Sequence, residues 1–466
     1  MPYHHYDRLS ALDSIFLDLE SQSVHMHVGS VGIFDSGPLA AEGGIDFERI
    51  CEIVESDLRR APRFRQKLSY IPVTGRPVWV DDEHFNLLYH VRHTSLPIPG
   101  DERTLKRLVG RIMSQKLDRA KPLWELWFIE GLEKDRFAVI SKVHHCLIDG
   151  ISGVDLLAAF MGPSSDYQAT PLEHRWIPRP SPGGLSLLGA ELWRRATLPA
   201  RAIGGAARAI GRPRESFDAA SHAVTGFAET LASSLTPASE TPFNVEIGPH
   251  RRFDWTRFDL DVVREVKRKL GGTINDVVLA CVAGAARWYL GEHGVALPEI
   301  DFRSFVPVST RTPEERGKLG NRVSLLVAHL PVDEPDPRQR MQRVVEETQK
   351  IKRSDQIAGT KAIEEISDWT ATAILTQFSR LAASRRSYNM VVTNVPGPPV
   401  PVFLEGARLL ESYPLVPLFS NQALGVAIFS YDGALHWGFN SDWDAIADLH
   451  DFVLAIEREF EILRKL

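Results

Sequence analysis

Residues 141–150, SKVHHCLIDG, combine side chains that could transfer protons. Two adjacent histidines, His144 and His145, are followed by Asp149 and Gly150. A neutral imidazole has a pKa of ~6.5, so it can accept a proton and return it near neutral pH. Three interpretations fit these residue types: a strand end with hydrogen-bonded histidines, a metal site, and acid–base catalysis.

The backbone before the histidines decides which of them could face a site. Read as a strand, RFAVISKVHH places His145 on one face and His144 on the other, because side chains alternate along a strand. One histidine could then face a reaction site while its neighbour supports the backbone or packs against a helix. Asp149 and Gly150 fall at the strand end, where a turn can bring the carboxylate back. If buried there, the carboxylate would need a cationic partner.

The same geometry bears on metal binding. Opposed side chains are poor ligands for a single ion, and no second cluster of ligand residues accompanies His144 and His145. The pattern therefore argues against a metal site. Composition and spacing alone do not choose between the structural strand end and acid–base catalysis.

The sequence around the histidines predicts a mixed α/β unit. LWELWFIEGLEKDRFAVISKVHH reads as two strands joined by a charged turn, and SVGIFDSG as the end of another strand. DFERICEIVESDLRRAPRFRQKL and TLKRLVGRIMSQKL have the apolar spacing of helices. The histidines therefore come at the end of a strand hairpin that helices must cover.

A second α/β unit follows from about residue 241. DLDVVREVKRKLGG predicts a helix closed by glycine, and TINDVVLACVAGAARWYLGEHG a second helix capped by Thr273 or Asn275. Strands are predicted for DFRSFVPVSTR, RVSLLVAHLPV, NMVVTNVPGP and ALGVAIFSYDGALHWGFNSD, and the chain closes on an amphipathic helix.

The chain length implies more than one domain. A single core stops growing at roughly 250–300 residues, so 466 residues predict two domains. We place them at residues 1–165 and 241–466. Residues 166–240 are rich in Pro, Ser, Ala and Gly and predict a linker with short helices.

Composition and charge exclude several classes of protein. The net charge of −6 and the lack of a recognisable motif argue against nucleic-acid binding. Three separated cysteines suggest neither a zinc site nor a disulfide framework, and hence a cytoplasmic setting. The first residues do not read as a signal peptide, and no apolar run is long enough to span a bilayer. Any membrane contact is therefore expected to be peripheral.

The full motif, HHxxxDG, resembles the active-site signature of the CoA-dependent acyltransferase superfamily. Further blocks resemble the bacterial wax ester synthase/acyl-CoA:diacylglycerol acyltransferase family, in its order and over nearly the whole chain apart from the linker. These blocks are LSALDSIFLDLES, MHVGSVGIF, PLWE, TINDVVLA, VPVSTR followed by GN, NVPGP and SYDGALHWGFNSD.

The resemblance implies a fold and a set of site residues. The fold would be two chloramphenicol-acetyltransferase-like α/β domains with an active-site tunnel between them. His145 would be the catalytic base, His144 the structural histidine, and Asp149 with Gly150 the support. Asn275 would help to stabilise the oxyanion, with Asp276 supporting it; a helix cap is the alternative for Asn275. Substrate-contacting positions would come from PLWE and NVPGP: Pro122, Leu123, Trp124, Asn394, Pro396 and Gly397. Trp124 could equally be core, and NVPGP a rigid structural turn.

The implied reaction moves a long-chain acyl group from acyl-CoA to a lipid hydroxyl, either of diacylglycerol or of a fatty alcohol. It requires no metal, no cofactor and no covalent acyl-enzyme. Three alternatives stay open: a transferase with a carrier-protein donor or another acceptor, a non-catalytic lipid-droplet-binding protein, and a metallohydrolase. Residues 191–214 are rich in arginine, with apolar residues interspersed. They predict reversible binding to a membrane or lipid inclusion, or else a solvated linker.

Overall fold

The structure is a computed structural model that describes residues 6–42, 44–150, 156–166, 176–194, 197, 237–309, 323–353 and 386–466. The helices are α1 Ala11–Leu19, α2 Phe47–Asp57, α3 Leu87–His90, α4 Glu102–Met113, α5 at 184–194, α6 Leu260–Leu270, α7 Ile274–Glu292, α8 Pro337–Arg353 and α9 Leu449–Lys465. Four 3-10 helices span Gly37–Leu39, Pro62–Arg65, His145–Gly150 and Leu156–Phe160.

The described strands form two six-stranded sheets and two smaller ones. The strands are β1 Asp7–Arg8, β2 His27–Asp35, β3 Ala40–Ala41, β4 Gly44–Ile45, β5 Gln66–Tyr70, β6 Pro77–Asp81, β7 Val91–Ser95, β8 Trp124–Leu132, β9 Arg136–His144, β10 Arg251–Asp259, β11 Arg303–Ser309, β12 Val323–His329, β13 Met390–Pro396, β14 Phe403–Leu404, β15 Ala407–Leu415, β16 Leu424–Tyr431 and β17 Ala434–Asp442. The large sheets have the orders β14-β15-β2-β9-β8-β7 and β10-β17-β16-β13-β11-β12. The small sheets are β1-β6-β5 and β3-β4.

The first large sheet contains the predicted hairpin. Strands β8 and β9 pair antiparallel, and β9 also pairs with β2, which sets His27 opposite His144. One face of this sheet buries Trp124, Phe128, Phe137 and Val143 in a core that helix α2 completes. The other face packs against helix α4. The predicted strand ends one residue early, because His145 begins the 3-10 helix. The two histidines are therefore separated by this turn and not by strand alternation.

The second large sheet packs against helix α7. This helix is apolar around most of its circumference and lies almost wholly inside the second core. It starts at Thr273, whose side chain accepts the backbone N–H of Asp276 in a capping box, so the cap is Thr273 and not Asn275. Helix α6 before it ends at Gly271 with φ +82, a conformation that favours glycine. The four stretches predicted as strands in this half are confirmed: three form β11, β12 and β13, and the fourth forms the β16–β17 hairpin.

One strand crosses from the second half of the chain to the first sheet. Strand β15 pairs with β2, with Tyr413 opposite Val31. It also crosses β17 so closely that a Cβ on Gly438 would lie 1.9 Å from the Pro414 carbonyl oxygen. Residues 241–466 therefore contribute strands to both large sheets. Strands β14 and β15 belong to the second half of the chain but pair within the first sheet, so they connect the two halves.

No single helix among the described residues is long and apolar enough to cross a membrane. Helices α6 and α7 satisfy length and composition only as a pair, and they are bent by 89°.

Candidate active site

Two backbone hydrogen bonds fix the turn at the histidines. The His144 N–H donates to the Leu123 carbonyl at 3.0 Å, and the His145 N–H donates to the Met26 carbonyl at 2.7 Å. The backbone N–H of His144 is therefore held by the PLWE stretch, and the backbone N–H of His145 is held by the segment before β2. The adjacency of PLWE to the histidines, which the predicted hairpin implied, is confirmed.

The His145 ring lies where the two halves of the chain meet. Its imidazole stacks on Phe16 of α1, with 3.8 Å between ring centroids and 21° between planes. Phe16 in turn packs against the second core, as do Val24 and Met26 from the same segment. His145 is half-buried, whereas His144 is fully buried. Of the two histidines, His145 is the one that a substrate could reach.

The His144 ring is held inside the protein. Its Nδ1 accepts the Cys146 backbone N–H at 3.2 Å and lies 3.0 Å from the Cys146 Sγ. Burial, together with the nearby Arg119 and His145, lowers the pKa of His144 to about 3. The ring is thus neutral, with its proton on Nε2. Burial also raises the pKa of the Cys146 thiol, so it packs as a thiol and is not an activated nucleophile.

The remaining predicted residues of the motif lie partly beyond what the structure describes. Asp149 and Gly150 belong to the 3-10 helix that His145 begins, but their side-chain surroundings lie outside the described part of the chain. The cationic partner predicted for Asp149 therefore stays a prediction.

The PLWE tryptophan is a core residue. Trp124 is completely buried and donates its indole N–H to the Phe64 carbonyl at 2.7 Å. Its ring stacks on His90 at 4.6 Å between centroids. Pro122 and Leu123 are buried beside it. In this structure Trp124 supports the hairpin that carries His144, and its predicted contact with substrate stays untested.

Asn275 and Asp276 have different roles at the start of α7. Asp276 accepts the Thr273 backbone N–H at 2.7 Å and the Thr348 hydroxyl at 2.7 Å, which ties α7 to α8. Asn275 is half-buried, and its side chain makes no hydrogen bond with other described residues. An amide that is not needed as a cap and is not locked by a neighbour is available to a ligand.

The NVPGP segment forms the end of β13. Asn394 is half-buried, and Pro396 is exposed at the strand end. The Gly397 N–H donates to the Ser430 carbonyl at 2.9 Å. A Cβ there would lie 2.2 Å from the Phe429 ring, so glycine is required by close packing. These contacts support the structural-turn interpretation and give no direct sign of a ligand.

Sequence reasoning missed Glu20 and Arg119, which surround His144. Arg119 binds one carboxylate oxygen of Glu20 and also the Leu17 carbonyl. A possible signal was the spacing of Phe16 and Glu20, which lie one helical turn apart in the LSALDSIFLDLES block. Within the described ranges, no group of three or more His, Cys, Asp or Glu could hold a metal ion.

Two α/β halves that share a strand, with a histidine turn at their junction, define a CoA-dependent acyltransferase-like fold. The starter condensation domain of rhizomide synthetase in complex with C8-CoA is similar, with a TM-score of 0.57 at 13% identity over 99% of this chain and 95% of that one. At that identity the likeness concerns the fold alone.

Sequence comparisons narrow the class. The model of the wax ester synthase/diacylglycerol acyltransferase catalytic domain matches residues 9–278, and that of the WS/DGAT C-terminal domain matches residues 319–464. The chain belongs to the wax ester synthase/diacylglycerol acyltransferase family and is an acyl-CoA-dependent O-acyltransferase.

Relatives match over most of their length. A Mycobacterium tuberculosis protein named as a diacylglycerol O-acyltransferase is 33% identical, over 95% of this chain and 87% of its own. O-acyltransferase WSD of Acinetobacter baylyi is 30% identical, over 97% and 96%. The solved wax ester synthase/diacylglycerol acyltransferase of Marinobacter aquaeolei has a TM-score of 0.69 at 26% identity, over 98% of this chain and 100% of that one.

Proposed function

We propose that this enzyme transfers a long-chain acyl group from acyl-CoA to a lipid hydroxyl, with His145 as the general base. The acceptor would be diacylglycerol, giving triacylglycerol, or a fatty alcohol, giving a wax ester. The observation that carries the role of His145 is the difference between the two histidines. His144 is buried and engaged through Nδ1, whereas His145 is half-buried at the junction of the two halves.

The proposed reaction has two steps that balance in charge and protons. His145 takes the hydroxyl proton as the oxygen attacks the thioester carbonyl, and a tetrahedral oxyanion forms. The C–S bond then breaks, and the imidazolium returns the proton to the CoA thiolate. The scheme needs no metal and no prosthetic group, and acyl-CoA enters as a substrate.

Residues of both halves would assist this reaction. We propose that the Asn275 amide donates to the oxyanion, since it has no hydrogen bond with other described residues, and that Asp276 fixes the start of α7. Asp149 would support the histidine turn. The acyl site would be supported on its protein side by Pro122, Leu123 and Trp124. A tunnel between the halves would be lined by Asn394, Pro396 and Gly397.

An acceptor screen tests the function. Purified protein should convert labelled palmitoyl-CoA and either dioleoylglycerol or hexadecanol to triacylglycerol or wax ester, respectively, with release of free CoA. Transfer from an acyl-carrier-protein thioester in preference to acyl-CoA would favour a carrier-dependent transferase. Lipid binding with no product from any acceptor would instead indicate a non-catalytic lipid-binding protein.

We further propose that the enzyme collects its acceptor at a lipid surface through an apolar face formed by Val73, Leu185, Leu192 and Trp193. Helix α5 buries Leu187 against the β5–β6 hairpin, while the other side of α5 exposes Leu185, Leu192 and Trp193. Gly184 packs over Pro72 at the hairpin tip, beside the exposed Val73. Contiguous exposed apolar patches mark contact surfaces, and we propose that these side chains form one such patch. The arginine-rich residues that continue from α5 lie mostly outside the described residues, and their positive charge would favour anionic headgroups.

Vesicle co-sedimentation tests this surface. We expect the protein to sediment with phosphatidylglycerol-containing vesicles at low salt and less at high salt. Replacing Arg195, Arg201, Arg208, Arg212 and Arg214 by glutamine should weaken sedimentation, while activity on detergent-dispersed acceptor survives. Arg194 is kept, because it pairs with the buried Glu191. A matched variant loses the same number of charges elsewhere and should sediment like wild type; it replaces the exposed Arg264, Arg268, Arg338, Arg353 and Arg464 by glutamine. Sedimentation that is absent in wild type, or equal in both variants, would contradict the proposal.

A further inference from the structure

Helix α1 reaches both histidines of the motif. Phe16 and Glu20 lie four residues apart, so they fall on the same side of the helix and its end. Phe16 stacks on the His145 ring, and Oε1 of Glu20 lies 3.9 Å from Nε2 of His144. One short segment therefore contacts the candidate base and its structural neighbour.

The Glu20 carboxylate is buried and only half satisfied. Its side chain is 1% exposed. Oε2 accepts a hydrogen bond from Arg119 Nε at 2.8 Å. It also lies 2.6 Å from Arg119 Nη2 and 3.7 Å from Lys116 Nζ as ion pairs. Oε1 has no hydrogen-bond partner among the described residues. Burying a carboxylate oxygen without a hydrogen-bond donor costs folding free energy. The polar groups that face this oxygen therefore indicate its role.

Two histidine nitrogens face Oε1, and only one of them can offer a proton. Nε2 of His27, at 3.8 Å, accepts the Leu117 N–H and so presents a lone pair. Nε2 of His144 must carry the ring proton, since Nδ1 is the acceptor for Cys146. This Nε2 also has no hydrogen-bond partner among the described residues. The buried N–H of His144 and the buried oxygen of Glu20 are therefore complementary as donor and acceptor, 3.9 Å apart.

The proton position matters for the turn. If the proton moved to Nδ1, two N–H groups would face each other at Cys146, and the turn would lose the bond that shapes it. The same turn places His145 so that its N–H meets the Met26 carbonyl. Glu20 Oε1 and His144 Nε2 are 3.9 Å apart, too far for a hydrogen bond, so their attraction is electrostatic. If the two atoms moved closer by about 1 Å, they would form a charge-assisted hydrogen bond.

We propose that Glu20 is a positioning residue: it holds the His144 ring with its proton on Nε2 and thereby orients His145. This inference rests on the proposed role of His145 as the base. Arg119 holds the Glu20 carboxylate in place, and Glu20 itself touches no substrate in this scheme.

Steady-state kinetics of Glu20→Gln test the proposal, since the variant keeps the size of the side chain and removes its charge. We expect kcat to fall by about tenfold or more, the effect typical of partners that orient a functional histidine, with KM for acyl-CoA within about twofold of wild type. Glu20→Asp, which keeps the charge, should recover part of kcat. Asp18→Asn, an exposed change on the same helix, should leave kcat unchanged. Wild-type kcat in Glu20→Gln, or a raised KM alone, would overturn the proposal.

A second measurement covers the case in which Glu20→Gln does not fold. ¹⁵N chemical shifts of labelled wild-type protein, assigned with His144→Gln, report which nitrogen of His144 carries the proton. Nε2–H in wild type, with a ¹⁵N shift that moves in Glu20→Asp, supports the proposal. Nδ1–H in wild type, or an Nε2 shift that does not move in Glu20→Asp, overturns it. The proposed function fails separately, if wild-type protein transfers no acyl group or if His145→Ala remains active.

Discussion

Replacing His145 by alanine is expected to reduce acyl transfer by a factor of ~10²–10⁴, the usual contribution of a general base. The reason is chemical: without the imidazole, the acceptor hydroxyl must attack the thioester while still protonated. Because the ring is half-buried and lies at a junction, its loss should leave the fold intact. The measurement is kcat with labelled acyl-CoA, together with the melting temperature.

Two comparison variants sharpen this result. His450→Ala, an exposed histidine on α9, should keep full activity. His144→Ala should lose activity together with stability, since it removes a buried ring that holds the turn. A folded His145→Ala protein with substantial transfer would show that the mechanism is wrong.

Acid is expected to destabilise this protein strongly, because five histidines in the described part of the chain are buried in their neutral form. Burial is the largest cause in each case and lowers the pKa of His25, His90 and His436 to about 4 and that of His144 to about 3. It also lowers the pKa of His27 well below its usual value.

The direction follows from proton linkage. In the unfolded chain each of these histidines titrates near ~6.5, so the unfolded state binds more protons than the folded state below that pH. Their stabilising effect is complete above pH ~6.5 and is lost as the pH falls toward about 4. Between pH 7.5 and pH 5 the loss is about 2 kcal/mol for each of His25, His90, His144 and His436, on the order of 8 kcal/mol together, and His27 adds to it in the same direction. That is comparable with the whole stability of a folded domain, ~5–15 kcal/mol.

Melting temperatures measured at half-unit steps from pH 7.5 to pH 5 test this expectation. They should fall progressively below pH 6.5, with unfolding at room temperature near pH 5. His436→Asn removes one buried group away from the histidine turn, so its melting temperature should depend less steeply on pH. His450→Asn, at an exposed position, should follow the wild-type curve. A melting temperature that stays level down to pH 5 would contradict the burial of these rings as neutral groups.

Local patterns predicted much of the secondary structure. The β8–β9 hairpin was predicted as two strands joined by a charged turn, and the stretch that forms β16 and β17 was predicted to be strand, because apolar residues alternate there. The C-terminus of α6 was marked by Gly271, whose positive φ suits glycine. The sequence offered two candidates for the N-cap of α7, Thr273 and Asn275. The structure selects Thr273, because its hydroxyl accepts the backbone N–H of Asp276 while the Asp276 carboxylate accepts the backbone N–H of Thr273.

The candidate site was predicted less completely. The HHxxxDG motif identified His144 and His145 as candidate site residues. The predicted hairpin implied that PLWE lies next to them. Alternation along a strand predicted that only one histidine could face a site, but alternation is not what separates the two rings. The strand ends at His144, and the 3-10 turn separates the rings.

By itself the sequence determined which residues could do chemistry and which short elements carry them, since these depend on neighbours within a few positions along the chain. Tertiary structure alone decided that β15 leaves the second half to pair with β2, that Trp124 lies in the core, and that Glu20 faces His144. Each of these contacts joins residues far apart in sequence. Periodicity states which face of an element is apolar, but it does not state which distant element will cover that face. That choice is made by packing, because a buried carboxylate or indole needs a particular partner that only the folded chain supplies.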